Sequence, residues 1–405
     1  MKKFIMYGAG NIGRGFIGQL FSNSGYQVGF IDINQEVIAR LNSDKQYPVN
    51  VVSNDGIEEQ IVKNVYGIDG KDVELVSNEI ASCDIMATAI GVNVLKFIVK
   101  PISLGIKKRF EQNKEPLNII ICENLIGADQ YLKGLIKEQL PEYSDRIDKE
   151  IGFVEASIGR MVPVVPEDKK LGNPLRVYVE PYNILPVDKD AFKGEIPDVQ
   201  NLYPYTPFNL FIQRKLFMHN MSHATCAYLG YLRNYEYIYQ AIADYDIKCV
   251  AFKALVQSAL AISRENKVDI DMLLDHAENL LYRFANVELG DTVARVGKDT
   301  KRKLSSNDRL IGAIKLTEKH NLPNEYLCLG VACAMAFEPI DDENSQELSS
   351  FVKEFGVKET LKKYSDYDGE KTKFIAQLYQ DIKDGKSIQD LIKSCEIKAG
   401  KTIRV

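Results

Sequence analysis

The chain has 405 residues, 45% apolar and 26% charged, with a formal net charge of −5 and a pI near 5.7. That length favours two domains, and the composition is that of a globular protein rather than a disordered, collagenous or coiled-coil one. The acidic balance argues against a nucleic-acid binder, and no stretch nears the roughly 18 uninterrupted apolar residues of a membrane span.

The first ten residues begin like a signal peptide, but the apolar run is too short and ends in a glycine loop that a folded domain can use. Residues 3–7 read as a short buried strand running into Gly8-Ala9-Gly10-Asn11-Ile12-Gly13. Phe16, Ile17, Leu20 and Phe21 then share one helical face, and after Gly25 a second apolar strand, Gln27–Ile31, ends at Asp32. This is a βαβ unit. Asp84–Ala89 and Leu117–Cys122 are further buried-strand candidates with helical patterns between and after them, which points to a parallel, doubly wound sheet.

The texture changes over residues 166–174, which are polar and broken by Pro166, Gly172 and Pro174. Leu175–Glu180 alternates like a strand, and the Pro- and Tyr-rich stretch 197–207 should be irregular. From Phe208 onward the pattern is mainly helical, with long periodic stretches at 237–264, 270–285, 308–319 and 325–337. Asp341–Glu343 reads as a solvated loop and the tail after 345 as further helices. The expected architecture is therefore α/β: a Rossmann-type doubly wound domain over residues 1–190 and a mainly helical substrate and catalytic domain over 191–405.

Cysteines at 83, 122, 226, 249, 328, 333 and 395 mostly sit in apolar runs, and no pair has zinc-knuckle or thioredoxin spacing. They read as reduced core residues of a cytoplasmic protein.

The glycine loop stands after a strand and before a helix, as a dinucleotide-binding loop must. Gly8 permits the tight turn, Gly10 lets backbone approach a pyrophosphate, and Gly13 allows close helix–strand contact. The helix start, with Ala9, Asn11 and Ile12, offers N–H groups and a positive dipole end to phosphates. Asp32, nineteen residues after Gly13, can accept hydrogen bonds from ribose hydroxyls and would repel a 2′-phosphate. NAD is thus expected over NADP. A helix N-cap is the competing role for Asp32.

The other informative stretch is Lys215-Leu-Phe-Met-His-Asn-Met-Ser-His223. On an α-helix, at about 100° per residue, Lys215, His219, Asn220 and His223 fall at about 0°, 40°, 140° and 80°, with Phe217 and Met221 on the packing side. Such a face can take a proton from a hydroxyl and hold the resulting oxygen, but a merely polar surface helix reads the same way. His219 and His223 are spaced i, i+4 like zinc ligands, yet Asn220 stands where a metalloprotease glutamate would be and no third ligand is evident. No metal is expected. Asn124, two residues beyond the strand ending at Cys122, can point an amide at a ligand or simply form a turn. The basic run Arg295, Lys298, Lys301, Arg302, Lys303 and Arg309 is either a solvated face or an anion site.

Taken together, these segments resemble the polyol-specific long-chain dehydrogenases. The resemblance covers most of the chain, through Tyr7–Gly18, Asn118–Asn124, Gly152-Phe-Val-Glu155, Arg214–Phe217, Ser222-His-Ala224, Ala227–Gly230 and Arg302–Ser305. The Lys-x4-Asn-x2-His pattern at Lys215, Asn220 and His223 matches the family's catalytic signature. The resemblance implies NAD-dependent, metal-independent hydride transfer on a small sugar-phosphate or polyol substrate, with mannitol 1-phosphate and fructose 6-phosphate as the expected pair. Lys215 would be the general acid/base, a role that requires a lysine made less basic by burial near another cation. Asn124 and Asn220 would donate to the developing alkoxide, and His223 would orient a hydroxyl. Arg295 and Lys303, eight residues apart, match family substrate contacts, with Lys298 or Arg302 reaching the phosphate. The family often carries Asp-Arg where this chain has Gly159-Arg160, which leaves open another polyol or a hexuronate as substrate. A non-catalytic NAD-binding sensor is the reading from a different class. Oligomeric state is not legible.

Overall fold

The computed structural model describes residues 1–400 and divides into two compact units, Met1–Phe208 and Asn209 onward. The division falls beyond the expected boundary near residue 190. The reason is local: in the Pro- and Tyr-rich stretch the strand Leu202–Tyr205 pairs in parallel with Leu185–Asp188, tying residues 191–208 to the first unit.

The first unit holds eleven strands among the described residues: β1 Lys3–Tyr7, β2 Gln27–Asp32, β3 Gln46–Ser53, β4 Gly56–Lys63, β5 Val65–Asp69, β6 Ile85–Thr88, β7 Leu117–Ile121, β8 Ile151–Glu155, β9 Val177–Val179, β10 Leu185–Asp188 and β11 Leu202–Tyr205. Six of them form one all-parallel sheet in the order β5-β2-β1-β6-β7-β8. Counted along the chain within that sheet, this is the 3-2-1-4-5-6 order of a doubly wound dinucleotide-binding fold. The sequences explain it. β1, β6 and β7 are near-continuous apolar runs, the pattern of parallel strands covered on both faces. Two hydrophobic clusters lie on opposite sides of the sheet, one built around Phe4, Phe16 and Phe30 and the other around Ile5, Ile80 and Ile119.

A separate three-stranded sheet, β4-β3-β9, was not evident from the sequence beyond the strand at 175–180. Its β3–β4 hairpin turns at Asn54-Asp55, and most of β4 is exposed, so no clean apolar alternation marks it.

The second unit is helical. Its central helix, Glu325–Met335, is buried at every residue, which accounts for an apolar composition all round its circumference. Helices Tyr245–Asn266 and Ile270–Phe284 match the long periodic stretches, and Glu343–Ser365, Thr372–Lys383 and Ile388–Lys398 follow in the tail. Asp342 is not merely solvated. Its carboxylate accepts the Asp299 backbone N–H at 2.7 Å and the Ser345 hydroxyl, just before the helix that starts at Glu343.

All seven cysteines are free thiols, and six are buried. No helix among the described residues is long and apolar enough to cross a membrane.

Candidate active site

In the first unit the glycine loop lies at the carboxyl end of β1, beside the switch point between β1 and β6. Gly8 has φ +106°, and a Cβ there would stand 2.5 Å from the Ala89 carbonyl oxygen. A Cβ on Gly13 would run into the Gly8 carbonyl oxygen. Gly10 is different. Its surroundings are open to 4 Å, so packing within the chain does not require a glycine there, whereas close approach by a ligand does. The helix that follows starts at Asn11 and runs through a π-helical segment, Gly13–Ile17, before continuing as an α-helix to Asn23. Asn11 also donates its side-chain amide to the Pro163 carbonyl at 3.2 Å.

Asp32 closes this site from β2. One carboxylate oxygen accepts the Ala9 N–H at 2.8 Å and the other the Asn34 N–H at 3.0 Å. The helix N-cap is Asn34, whose side chain accepts from Val37 N–H, so Asp32 is not the cap. A carboxylate has about four acceptor positions, which leaves capacity for two ribose hydroxyls. An open Gly10, a helix start and an acidic side chain at the end of the second strand are the features an adenine dinucleotide requires.

The loops after β6 and β7 are fastened together by a residue that the sequence did not single out. Buried Glu123 accepts the Ile90 N–H at 3.0 Å on one oxygen and the Gly91 N–H at 2.8 Å on the other. Asn124, next in the chain, is exposed at the carboxyl end of β7. An acidic residue at a strand end was the only available signal, because its partners are backbone groups.

In the second unit the Lys215–His223 stretch corrects the wheel drawn from sequence. Arg214–Asn220 is π-helical rather than α-helical, and Met221 N–H reaches back five residues to the Leu216 carbonyl. With five-residue hydrogen bonding, residues i and i+5 fall near one face, as i and i+4 do in an α-helix. Lys215 and Asn220 therefore stack along one face instead of diverging by 140°. The α-helix Met221–Leu232 then places His223 three residues further on.

The His223 ring stacks on Phe284 at 4.7 Å, and its Nε2 stands 3.5 Å from Asp291 Oδ2. That separation exceeds a hydrogen bond, and Nε2 is buried with no hydrogen-bond partner among the described residues. Burial, reinforced by the cations Arg295, Lys303 and Arg309 and opposed by Asp291, lowers the His223 pKa to about 4. It is a neutral imidazole at neutral pH. His219 is also buried, 5.8 Å from the Phe284 ring, and its pKa is held well below the usual value by burial and then by Arg283. No group of three or more His, Cys, Asp or Glu side chains is arranged to hold a metal ion among the described residues.

The basic run divides into distinct environments. Arg295 forms an ion pair with Asp291, which ties it to the His223 neighbourhood. Lys303 is 4% exposed, and its amine donates to the carbonyls of Val296 and Lys298, the latter at 2.5 Å. Burial, then Arg309 and Arg302, lowers its pKa to about 7. Lys301 pairs with Glu347. Arg302 is held by Asp299 at 2.7 Å and Asp308 at 3.3 Å. Lys298 is exposed and has no ion pair among the described residues. A uniformly solvated face would not bury Lys303 and Arg309. Phe284 and Asp291, which complete this neighbourhood, were missed from sequence because neither belongs to a recognisable spacing.

Comparison with known proteins places these halves in context. The model of the mannitol dehydrogenase Rossmann domain matches residues 2–201, and that of the mannitol dehydrogenase C-terminal domain matches residues 208–395. A mannitol-1-phosphate 5-dehydrogenase of Caldanaerobacter subterraneus subsp. tengcongensis is 35% identical over 362 residues, spanning 89% of this chain and 93% of the relative. One of Thermoanaerobacter pseudethanolicus is 36% identical over 369 residues, spanning 90% and 93%. The solved Pseudomonas fluorescens mannitol 2-dehydrogenase, a ternary complex with NAD and D-mannitol, shares the fold with a TM-score of 0.76 at 15% identity, over 99% of this chain and 95% of that one. A substrate-free D-sorbitol dehydrogenase aligns at 0.78 with 14% identity, over 97% and 94%. With both domain models matched in order, the chain belongs to the mannitol dehydrogenase family.

Proposed function

We propose that the protein is an NAD-dependent oxidoreductase interconverting D-mannitol 1-phosphate and D-fructose 6-phosphate. The relatives that are over a third identical carry that activity in their names. The single observation supporting the chemistry is the π-helical register that aligns Lys215 with Asn220, one turn before His223, whose Nε2 has no hydrogen-bond partner among the described residues.

The loop Gly8-Ala9-Gly10-Asn11-Ile12-Gly13 holds the pyrophosphate of NAD, and Asp32 takes the ribose hydroxyls and disfavours NADP. When bound, NAD supplies the acceptor for the hydride of the alcohol carbon. Lys215 takes the proton from the alcohol oxygen during oxidation and returns it to the ketone oxygen during reduction. Asn220 donates its amide N–H to that oxygen as negative charge develops. Asn124 carries an exposed amide where doubly wound sheets address their ligands, and is assigned the same kind of donation. His223, neutral and with a free ring nitrogen, orients a substrate hydroxyl. Arg295 and Lys303 bind substrate, and Lys298 or Arg302 meets the phosphate. The reaction assigned to these residues needs no metal.

NADH oxidation against a panel of ketoses, ketose phosphates and keto-uronates tests this reading. Fructose 6-phosphate should be the preferred substrate, and Lys215→Ala should lower kcat by about 10²–10⁴-fold. Preference for an unphosphorylated sugar or a hexuronate would replace the substrate, a possibility that Gly159 singles out, since the Tyr182 ring lies 3.2 Å from where its side chain would begin. Full activity of the Lys215 variant would overturn the mechanism.

A further inference from the structure

The first unit contains a cavity of about 350 Å³ that the proposed reaction does not use. Gln19 and Asn23 line it from the end of the first helix remote from the glycine loop, and the wall is completed by β4 and the segments around 181–183 and 200–201. Arg160 is 5% exposed and lines it too. Three of the guanidinium's five N–H groups are committed: Nε to the Glu180 carbonyl at 2.9 Å, and Nη1 to the Gly15 carbonyl at 3.0 Å and Gln19 Oε1 at 2.6 Å. Nη2 donates to nothing among the described residues.

The opposite wall is equally organised. Gln19 Nε2 donates to Gln60 Oε1 at 2.8 Å, and Gln60 Nε2 donates to Glu58 Oε1 at 2.9 Å. Arg160, Gln19, Gln60 and Glu58 thus form one chain of hydrogen bonds, cationic at one end and anionic at the other. Such a chain fixes the orientation of each amide and polarises it. Asn183 and Asn201 add two more amides, while Leu20 and Val51 supply a small apolar patch.

We propose that this cavity, lined by none of the residues assigned to catalysis, is a second binding site for an uncharged polyol. Each hydroxyl of a polyol is both donor and acceptor, which suits a wall of amides flanked by one free donor pair and one carboxylate. A charged ligand fits less well. Glu180 offsets the Arg160 charge from inside, and Glu58 repels an anion. The assignment does not depend on the catalytic reading.

Calorimetric titration with D-mannitol, on the intact protein without cofactor, tests it through variants that leave Arg160 in place. Wild type should take up about one equivalent per chain, and Gln60→Leu and Asn183→Ala should each weaken that uptake at least about tenfold. Lys215→Ala should leave it unchanged. No saturable uptake, or uptake equal in wild type and both wall variants, would overturn the proposal, because a ligand held in this cavity must sense Gln60 and Asn183, which line it.

Discussion

Each unit builds its most telling helix on a π-helical segment, and the two segments are put to opposite uses. In Gly13–Ile17 all five residues are buried, and the wider turn lets backbone press against backbone beneath the glycine loop. In Arg214–Asn220 only Phe217, Met218 and His219 are buried, and the wider turn brings Lys215 and Asn220 into register. The same backbone device thus serves packing in one place and, on the proposed reading, chemistry in the other. A π turn is not itself a functional mark; what matters is which side chains its five-residue period aligns.

The sharpest way to break the comparison is to disturb each turn separately. Inserting an alanine after Leu216 should put Asn220 six residues beyond Lys215 and carry it round to another face, lowering kcat at least about 10³-fold while the circular dichroism stays near that of wild type. If activity survives, the register is incidental. Next in size is Gly13→Ala, whose Cβ has no room against the Gly8 carbonyl. It should cost about 1–3 kcal/mol in a denaturant titration and raise the KM for NAD more than it changes kcat. An unchanged KM would mean that this turn does not shape the cofactor loop.

Asp32→Ala should weaken NAD roughly tenfold and NADP much less, since the lost interaction is worth about 1–2 kcal/mol and the repulsion of a 2′-phosphate disappears with it. Equal losses would remove Asp32 from the ribose. The last test concerns Lys303. Its folded pKa of about 7 lies below the usual lysine value of 10.5, so the unfolded chain binds the extra proton between those values. Stability should therefore rise with pH from about 7 to 10.5, and the penalty is fully present below pH 7. Lys303→Met should flatten that slope in urea titrations across the window. A slope unchanged by the substitution would mean that Lys303 is solvated and ordinary.

The asymmetry between the segments also marks what sequence could tell. The first π turn lies in a loop whose glycines advertise close approach, and the strand–loop–helix–strand order around it was legible down to Asp32. The second carries no such marker. Nothing in Arg214–Asn220 distinguishes a five-residue period from an α-helical one, so the residues were identifiable but their alignment was not. Glu123 escaped notice because it acts on backbone N–H groups, and β3–β4 because an exposed hairpin shows no apolar alternation. Charge runs are similarly opaque. Lys298 and Lys303 are five residues apart in one basic stretch, yet one is exposed and the other buried on carbonyls.

The buried thiols give the molecule an internal clock. Burial raises the pKa of Cys83 in the first unit and of Cys226 and Cys395 in the second to about 12, so thiolate, the species that alkylating agents and peroxides attack, is scarce in the folded chain. Reaction then waits on opening. Timed alkylation followed by peptide mapping would read how often each unit exposes its core, Cys83 reporting for one and Cys226 for the other.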